Sequence, residues 1–161
     1  MRALVFAAGL GTRLRPITDS IPKVLVPVAG KPVIVHVLDH LKKYGITQVA
    51  INTHWLAHKV MDYLGDRVLY SYEPSLFGTA GTIKSWLPWL GDDFLVMNGD
   101  TITDIDIEDF MNFHHKWENI ATVSRNKGND HCTGAMVFSR RINRYLPETG
   151  MIDDVLNEID H

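Results

Sequence analysis

The chain has 161 residues, a formal net charge of −3 and a single cysteine, Cys132. An apolar fraction of 45% and a charged fraction of 22% are typical of a soluble globular protein and exclude disorder as the main state. One cysteine excludes an intrachain disulfide, and no apolar run approaches the ~20 residues that span a bilayer. We therefore expect a cytoplasmic, single-domain protein over residues 1–161, with no membrane partner.

Short apolar runs predict six strands, and the segments between them predict helices. The strands are predicted at residues 3–8, 48–52, 68–72, 94–97, 120–124 and 135–138. The helices are predicted at residues 32–44, 54–64, 80–86, 107–117 and 153–159, with Asp106 capping the fourth. Alternation of strands with helices favours an α/β fold, in which a mainly parallel sheet carries helices on both faces.

The distribution of charge points to an anion site near the start of the chain. Residues 1–43 hold seven Lys or Arg against two Asp, whereas the remainder holds nine against seventeen Asp or Glu. A basic segment in an acidic protein favours a local anion site over a nucleic-acid-binding face.

The loop after the first strand has the chemistry of a phosphate site. Gly9 and Gly11 allow backbone N–H groups to approach an anion, and Arg13 and Lys23 add positive charge. Two common nucleotide motifs do not fit. The Gly-Lys-Ser/Thr ending of nucleoside triphosphatases is absent, and Leu14 replaces the third glycine of a dinucleotide fold.

Eight sequence blocks, in a fixed order, carry a specific resemblance. They are AAGLGTRLRPIT at 7–18, PKVLVPV at 22–28, KP at 31–32, EP at 73–74, GTAG at 78–81, VMNGD at 96–100, TGAMVF at 133–138 and MIDDVL at 151–156. Together they closely resemble the sugar-1-phosphate nucleotidyltransferases, also called nucleotide-sugar pyrophosphorylases. Residues 52–55 and the short loop at Glu73 are most similar to the compact mannose, heptose and muramic-acid 1-phosphate enzymes.

This resemblance implies a fold and a reaction. The fold would be a three-layer α/β/α, Rossmann-like nucleotidyltransferase fold with a mostly parallel mixed sheet. A sugar 1-phosphate would attack the α-phosphorus of a nucleoside triphosphate, GTP or UTP being favoured, and pyrophosphate would leave. The implied cofactor is Mg²⁺, no nucleic acid is involved, and a homo-oligomer is possible.

The resemblance also implies roles for individual residues. Arg13, Lys23 and Asp100 would be catalytic, with Asp100 holding the metal. The nucleotide would be bound by Ala8, Gly9, Leu10, Gly11, Thr12, Arg13, Lys23, Glu73, Gly78 and Thr79. Asn98 and Gly134 would lie near the nucleotide or the sugar. Purely structural alternatives exist: Asp100 as a capped turn, Asn98 as a residue that shapes that turn, and Glu73 as a solvated acid before a proline.

The sequence departs from the family pattern after residue 120. Residues 1–120, the nucleotide-binding part, match without a break, but residues 120–161, the sugar-acceptor part, are shortened. The Glu-Lys-Pro segment whose lysine serves the sugar phosphate is missing, with Arg125 or Lys127 as possible substitutes. The closing strand that supplies a second metal aspartate is also absent.

Three hypotheses follow from this departure. The chain is a minimal active transferase, a nucleotide-binding or regulatory protein that has lost turnover, or a piece of a larger enzyme. In the first case the second carboxylate would come from a neighbouring subunit or from the C-terminal acids Asp153, Asp154, Glu158 and Asp160.

Overall fold

The computed structural model describes residues 1–127 and 132–159. The strands are β1 (Arg2–Phe6), β2 (Pro27–Val28), β3 (Lys31–Pro32), β4 (Gln48–Thr53), β5 (Leu69–Tyr72), β6 (Asp93–Asn98), β7 (Ala121–Arg125) and β8 (Cys132–Ser139). The α-helices are α1 (Val33–Lys43), α2 (Ala57–Leu64), α3 (Gly78–Leu90), α4 (Ile107–Lys116) and α5 (Ile152–Ile159). No helix in these two ranges is long and apolar enough to cross a membrane.

Six strands form one mixed sheet in the order β5-β4-β1-β6-β8-β7. Strands β5, β4, β1 and β6 are parallel, and β8 runs antiparallel to both β6 and β7. In this register Phe6 lies opposite Asn52 on one side and Asn98 on the other. The carboxyl ends of three neighbouring strands therefore meet at one edge of the sheet, where ligands bind in open α/β folds.

Apolar side chains of the sheet pack against helices on both faces. In β1, Ala3 and Val5 join the cluster formed with α1, α2 and α4, whereas Leu4 joins the cluster formed with α3 and α5. Successive side chains of a strand point to opposite faces, so a strand covered on both sides is apolar throughout. The predicted three-layer α/β/α fold with a mostly parallel mixed sheet is confirmed.

The element boundaries differ from the sequence prediction in a few places. Helix α2 begins at Ala57 and not at residue 54, because Leu56 has a left-handed backbone with φ of 51°. Helix α3 continues through Pro88 to Leu90, where burial of Leu87 and Leu90 offsets the missing proline N–H. The cap predicted at Asp106 is confirmed, since its carboxylate accepts the backbone N–H of Asp109 at 3.0 Å.

Candidate active site

A solvent-open cavity of about 290 Å³ lies at the carboxyl ends of β1, β4 and β6. Eight residues that the sequence analysis assigned to the site line it: Ala8, Gly9, Lys23, Glu73, Gly78, Thr79, Asn98 and Asp100. Phe6, Val24, Leu76 and Met151 supply apolar wall. The cavity thus combines a glycine loop, one cation, two carboxyl groups and apolar surface.

The remaining predicted residues lie outside the cavity wall. Thr12 and Arg13 are exposed on a 3₁₀ turn, Thr12–Leu14, that directly follows the glycine loop. Leu10 is also exposed, and Gly134 lies in β8, where an added Cβ would be 3.4 Å from the Cβ of Asn98. Arg13 makes no hydrogen bond or ion pair with any residue in 1–127 or 132–159, so its guanidinium is available to a ligand.

Gly11 fixes the shape of the loop that precedes Arg13. Its φ is 66°, and a Cβ at this position would lie 2.8 Å from the Cγ2 atom of Thr18. The Thr18 hydroxyl, which is buried, donates to the Gly11 carbonyl at 2.7 Å. Any residue with a side chain would therefore be strained here and would clash, which explains the glycine without reference to a ligand.

Lys23 and Asp100 form an ion pair on the cavity wall. Lys23 opens a 3₁₀ turn after Pro22, and Asp100 follows β6. Both side chains are about a quarter exposed, at 28% and 27%. Within the described part of the chain the Asp100 carboxylate accepts the Thr101 hydroxyl but no backbone N–H, so the alternative of a capped turn lacks its defining contact.

Glu73 is not a solvated acid, and that alternative is wrong. The residue is 1% exposed. Its carboxylate accepts hydrogen bonds from the Asn52 amide at 2.9 Å, the Thr82 hydroxyl at 2.6 Å and the Phe77 backbone N–H at 3.1 Å. Asn52 and Thr82 also line the cavity and were not singled out as site residues from the sequence. The one available signal was a polar residue directly after the buried apolar run at residues 49–51 of β4.

Comparison with known proteins places this geometry in a family. The chain matches the nucleotidyl transferase family over residues 2–140. It belongs to that family. It is 48% identical over 114 residues to N-acetylmuramate alpha-1-phosphate uridylyltransferase of Neisseria meningitidis, an alignment that covers 66% of this chain and 49% of the relative. It is 37% identical over 112 residues to D-glycero-alpha-D-manno-heptose 1-phosphate guanylyltransferase of Campylobacter jejuni, covering 66% and 51%.

The chain spans about half the length of these two curated relatives. A solved structure of a putative glucose-1-phosphate thymidylyltransferase from Bacillus anthracis has a TM-score of 0.83 at 23% identity, covering 98% of this chain and 82% of that one. This likeness supports the nucleotidyltransferase fold. The family resemblance predicted from the sequence is therefore confirmed.

The segment that leads into α5 packs on the start of α3. The Gly150 carbonyl accepts the backbone N–H of Ala80 at 2.9 Å, and the Ile152 N–H donates to the Thr79 hydroxyl at 2.8 Å. Gly78 has a φ of 74°, and a Cβ there would lie 2.3 Å from the Gly150 oxygen. Gly78 is therefore required for close approach of two backbone segments, and part of the Thr79 hydrogen-bonding capacity is already used.

Of the acids expected to supply a second metal ligand, the three that the structure describes do not line the cavity. Asp153, Asp154 and Glu158 are exposed on α5, whose buried face packs on the core, and Asp160 lies outside the described residues. Arg125 and Lys127, the possible substitutes for the acceptor lysine, are likewise exposed and absent from the cavity wall.

Residues 1–127 and 132–159 contain no cluster of three metal-binding side chains. Asp100 and Glu73 are the acids on the cavity wall, and Glu73 is already held by three donors. Of the acids on the cavity wall, Asp100 is therefore the one whose carboxylate is available to a cation.

Proposed function

We propose that the chain binds a nucleoside triphosphate with Mg²⁺ and transfers its nucleotidyl group to a sugar 1-phosphate. The observation that carries this proposal is the Lys23–Asp100 pair on a cavity wall beside the glycine loop. One side chain suits phosphate oxygens and the other suits a hard cation. Membership of the nucleotidyl transferase family supports the same reaction.

The proposed chemistry is an in-line displacement. A phosphate oxygen of the sugar 1-phosphate forms a bond to the α-phosphorus, the bond from that phosphorus to the bridging oxygen breaks, and pyrophosphate leaves with the electron pair. No protein nucleophile is needed, so the protein contributes positioning and charge neutralisation. Lys23 would neutralise phosphate oxygens near the reacting centre, and Arg13 would bind the leaving pyrophosphate.

The residues present fit a magnesium ion shared with the substrate. Mg²⁺ is commonly held by one or two carboxylates together with substrate phosphates, and Asp100 supplies one such carboxylate. When bound, the ion would neutralise phosphate charge and polarise the α-phosphoryl group. Lys23 would then contact phosphate oxygens in place of Asp100.

The names of the relatives support a choice of substrates. One relative is named as a uridylyltransferase of N-acetylmuramate 1-phosphate, and another as a guanylyltransferase of a heptose 1-phosphate. We therefore infer UTP or GTP as the nucleotide and the 1-phosphate of a muramic acid, heptose or mannose as the acceptor. We propose the cytoplasm as the location of this reaction.

A second candidate function is nucleotide binding with little or no transfer. It is favoured by the positions of Asp153, Asp154 and Glu158, which are exposed away from the cavity. The nucleotide can supply much of the coordination of the metal, but it cannot position the sugar phosphate. Misplacement of a reacting group by about 1 Å can cost on the order of 10²-fold in rate.

Two assays on one sample separate these functions. Titration calorimetry with Mg²⁺ and each of ATP, CTP, GTP and UTP measures binding, and pyrophosphate release with the three sugar 1-phosphates measures transfer. Binding with slow transfer supports the second function, and binding with rapid transfer in a proven monomer supports the first. Failure to bind any triphosphate contradicts both.

A further inference from the structure

Three buried polar side chains form a hydrogen-bond network on the cavity wall. Asn52, near the end of β4, is 4% exposed, and Glu73 and Thr82 are each 1% exposed. The Asn52 amide nitrogen donates to the Glu73 Oε1 atom at 2.9 Å and to the Thr82 hydroxyl at 3.3 Å. The Thr82 hydroxyl in turn lies 2.6 Å from the same Glu73 oxygen, to which it donates. We call these three residues the Asn52 network.

The network joins two segments of the cavity wall. The Asn52 Oδ1 atom accepts the backbone N–H of Ala7 at 2.8 Å, immediately before the glycine loop. The Glu73 Oε2 atom accepts the backbone N–H of Phe77 at 3.1 Å, immediately before Gly78. Ala7 and Gly78 both line the cavity. Asn52 therefore contacts the glycine-loop wall directly and the 73–78 loop through Glu73.

The chemistry of the network requires an amide at position 52. Its oxygen must face the Ala7 N–H, and both hydrogens of its nitrogen are used by Glu73 and Thr82. Loss of the amide would leave a buried N–H and a buried carboxylate each with one partner fewer, which is costly in a dry environment. The buried Glu73 carboxylate therefore accepts its hydrogen bonds from donors of the protein itself.

We propose that Asn52 is a positioning residue, which sets the spacing between the glycine loop and the 73–78 loop so that both walls contact one nucleotide. In this role Glu73 holds the backbone of its own loop and does not bind the base. The proposal rests on the proposed function, because the ligand that spans the two walls is the nucleoside triphosphate.

Exchange of the amide and carboxyl groups provides the decisive variant. In the double variant Asn52→Asp, Glu73→Gln, the carboxylate at position 52 can accept from Ala7, from Thr82 and from the amide at position 73. The carbonyl of that amide can still accept from Phe77. Asn52→Asp alone places two carboxylate oxygens, at positions 52 and 73, 2.9 Å apart. Glu73→Gln alone places two amide N–H donors at the same distance.

Thr53→Val is the matched control. Thr53 is the next residue of β4, is fully buried and loses one hydrogen bond, from its hydroxyl to the Ser71 carbonyl at 3.0 Å, but it does not line the cavity. Dissociation constants for Mg²⁺ with UTP and with GTP are measured by calorimetry, and melting temperatures report folding. If Asn52→Ala does not fold, Thr82→Val removes a different member of the network and takes its place.

The expected result is a rise of about tenfold in the dissociation constant for Asn52→Ala, equivalent to one net hydrogen bond. The control should stay within about twofold of the original chain, the scatter of uncoupled sites. The exchanged pair should recover both the melting temperature and the affinity.

Other outcomes contradict the proposal in distinguishable ways. Recovery of the melting temperature without recovery of affinity would mean that the Glu73 carboxylate contacts the nucleotide itself. Unchanged affinity in Asn52→Ala would refute the positioning role and leave the proposed function intact. An original chain that binds no triphosphate would remove the proposed function, and this inference with it.

Discussion

Replacing Asp100 with asparagine should change nucleotide affinity in opposite directions with and without magnesium. Asp100 pairs with Lys23, so the carboxylate neutralises the cation that we expect phosphate to bind. Asp100→Asn frees the ammonium group and removes a negative charge that a metal-free triphosphate would face. The same change removes the carboxylate available to a cation on the cavity wall.

The size of each effect follows from the exposure of the pair. Both side chains are about a quarter exposed, so loss of the pair should destabilise the protein by at most about 1 kcal/mol. For a chain of this size that lowers the melting temperature by roughly 2–4 °C. Removal of one charge about 5 Å from a phosphate, in water, is worth about 0.8 kcal/mol, or about fourfold tighter binding without metal. With Mg²⁺, loss of a carboxylate ligand should weaken binding by about tenfold, and turnover should fall further.

Calorimetry of UTP and GTP binding, in EDTA and in Mg²⁺, tests this inversion. The control is Asp104→Asn, which removes the same charge from an exposed residue that does not line the cavity. The dissociation constants of the control variant should match those of the original chain both in EDTA and in Mg²⁺. Equal weakening of binding by Asp100→Asn with and without the metal would refute the idea that Asp100 and phosphate compete for Lys23.

Three further predictions concern other parts of the chain. Arg13→Ala and Lys23→Ala should each reduce the rate of pyrophosphate release by about 10²–10³-fold, the effect of removing one charge that stabilises the transition state. The control Arg15→Ala should not reduce this rate. Equal rates in all three variants would contradict the assignment of Arg13 and Lys23 to the phosphates. Gly78→Ala should destabilise the protein by about 2 kcal/mol or more in a urea titration, since its Cβ would lie 2.3 Å from a backbone oxygen at a φ of 74°. Burial lowers the pKa of His114, although the nearby carboxylate of Asp93 acts in the opposite direction. The unfolded chain therefore takes up a proton first as pH falls below about 6.5, and stability should decline from there until the folded pKa is reached, with a smaller decline in His114→Gln.

The sheet could be predicted from the sequence because its signals are local. A continuous apolar run such as that in β1 is what two covered faces require, and Asp106 caps α4 through contacts within one turn. The start of α2 could not be predicted in this way. The left-handed backbone at Leu56 prevents the helix from starting before Ala57. Leucine rarely adopts that conformation, so the sequence does not predict it.

The same distinction, between local sequence signals and features that depend on the folded chain, applies to the candidate site. Gly9, Lys23 and Asp100 were identifiable because each lies in a motif whose residues are close in sequence, and the structure brings them to one cavity. Arg13 lies beyond the cavity wall on an exposed turn, a position that depends on the path of the loop and not on its composition.

The Asn52 network shows why a residue type alone does not identify a role. Asn52 follows three buried apolar residues in β4, and its hydrogen-bond partners are 21, 30 and 45 positions away along the chain. Only the parallel pairing of β1 with β4 places Asn52 beside the end of β1 and within reach of the Ala7 N–H. Glu73, which by pattern suits either a solvated acid or a base contact, then finds its donors inside the protein. A polar side chain at the carboxyl end of a buried strand is thus a candidate for positioning as well as for binding, and the exchanged pair distinguishes the two.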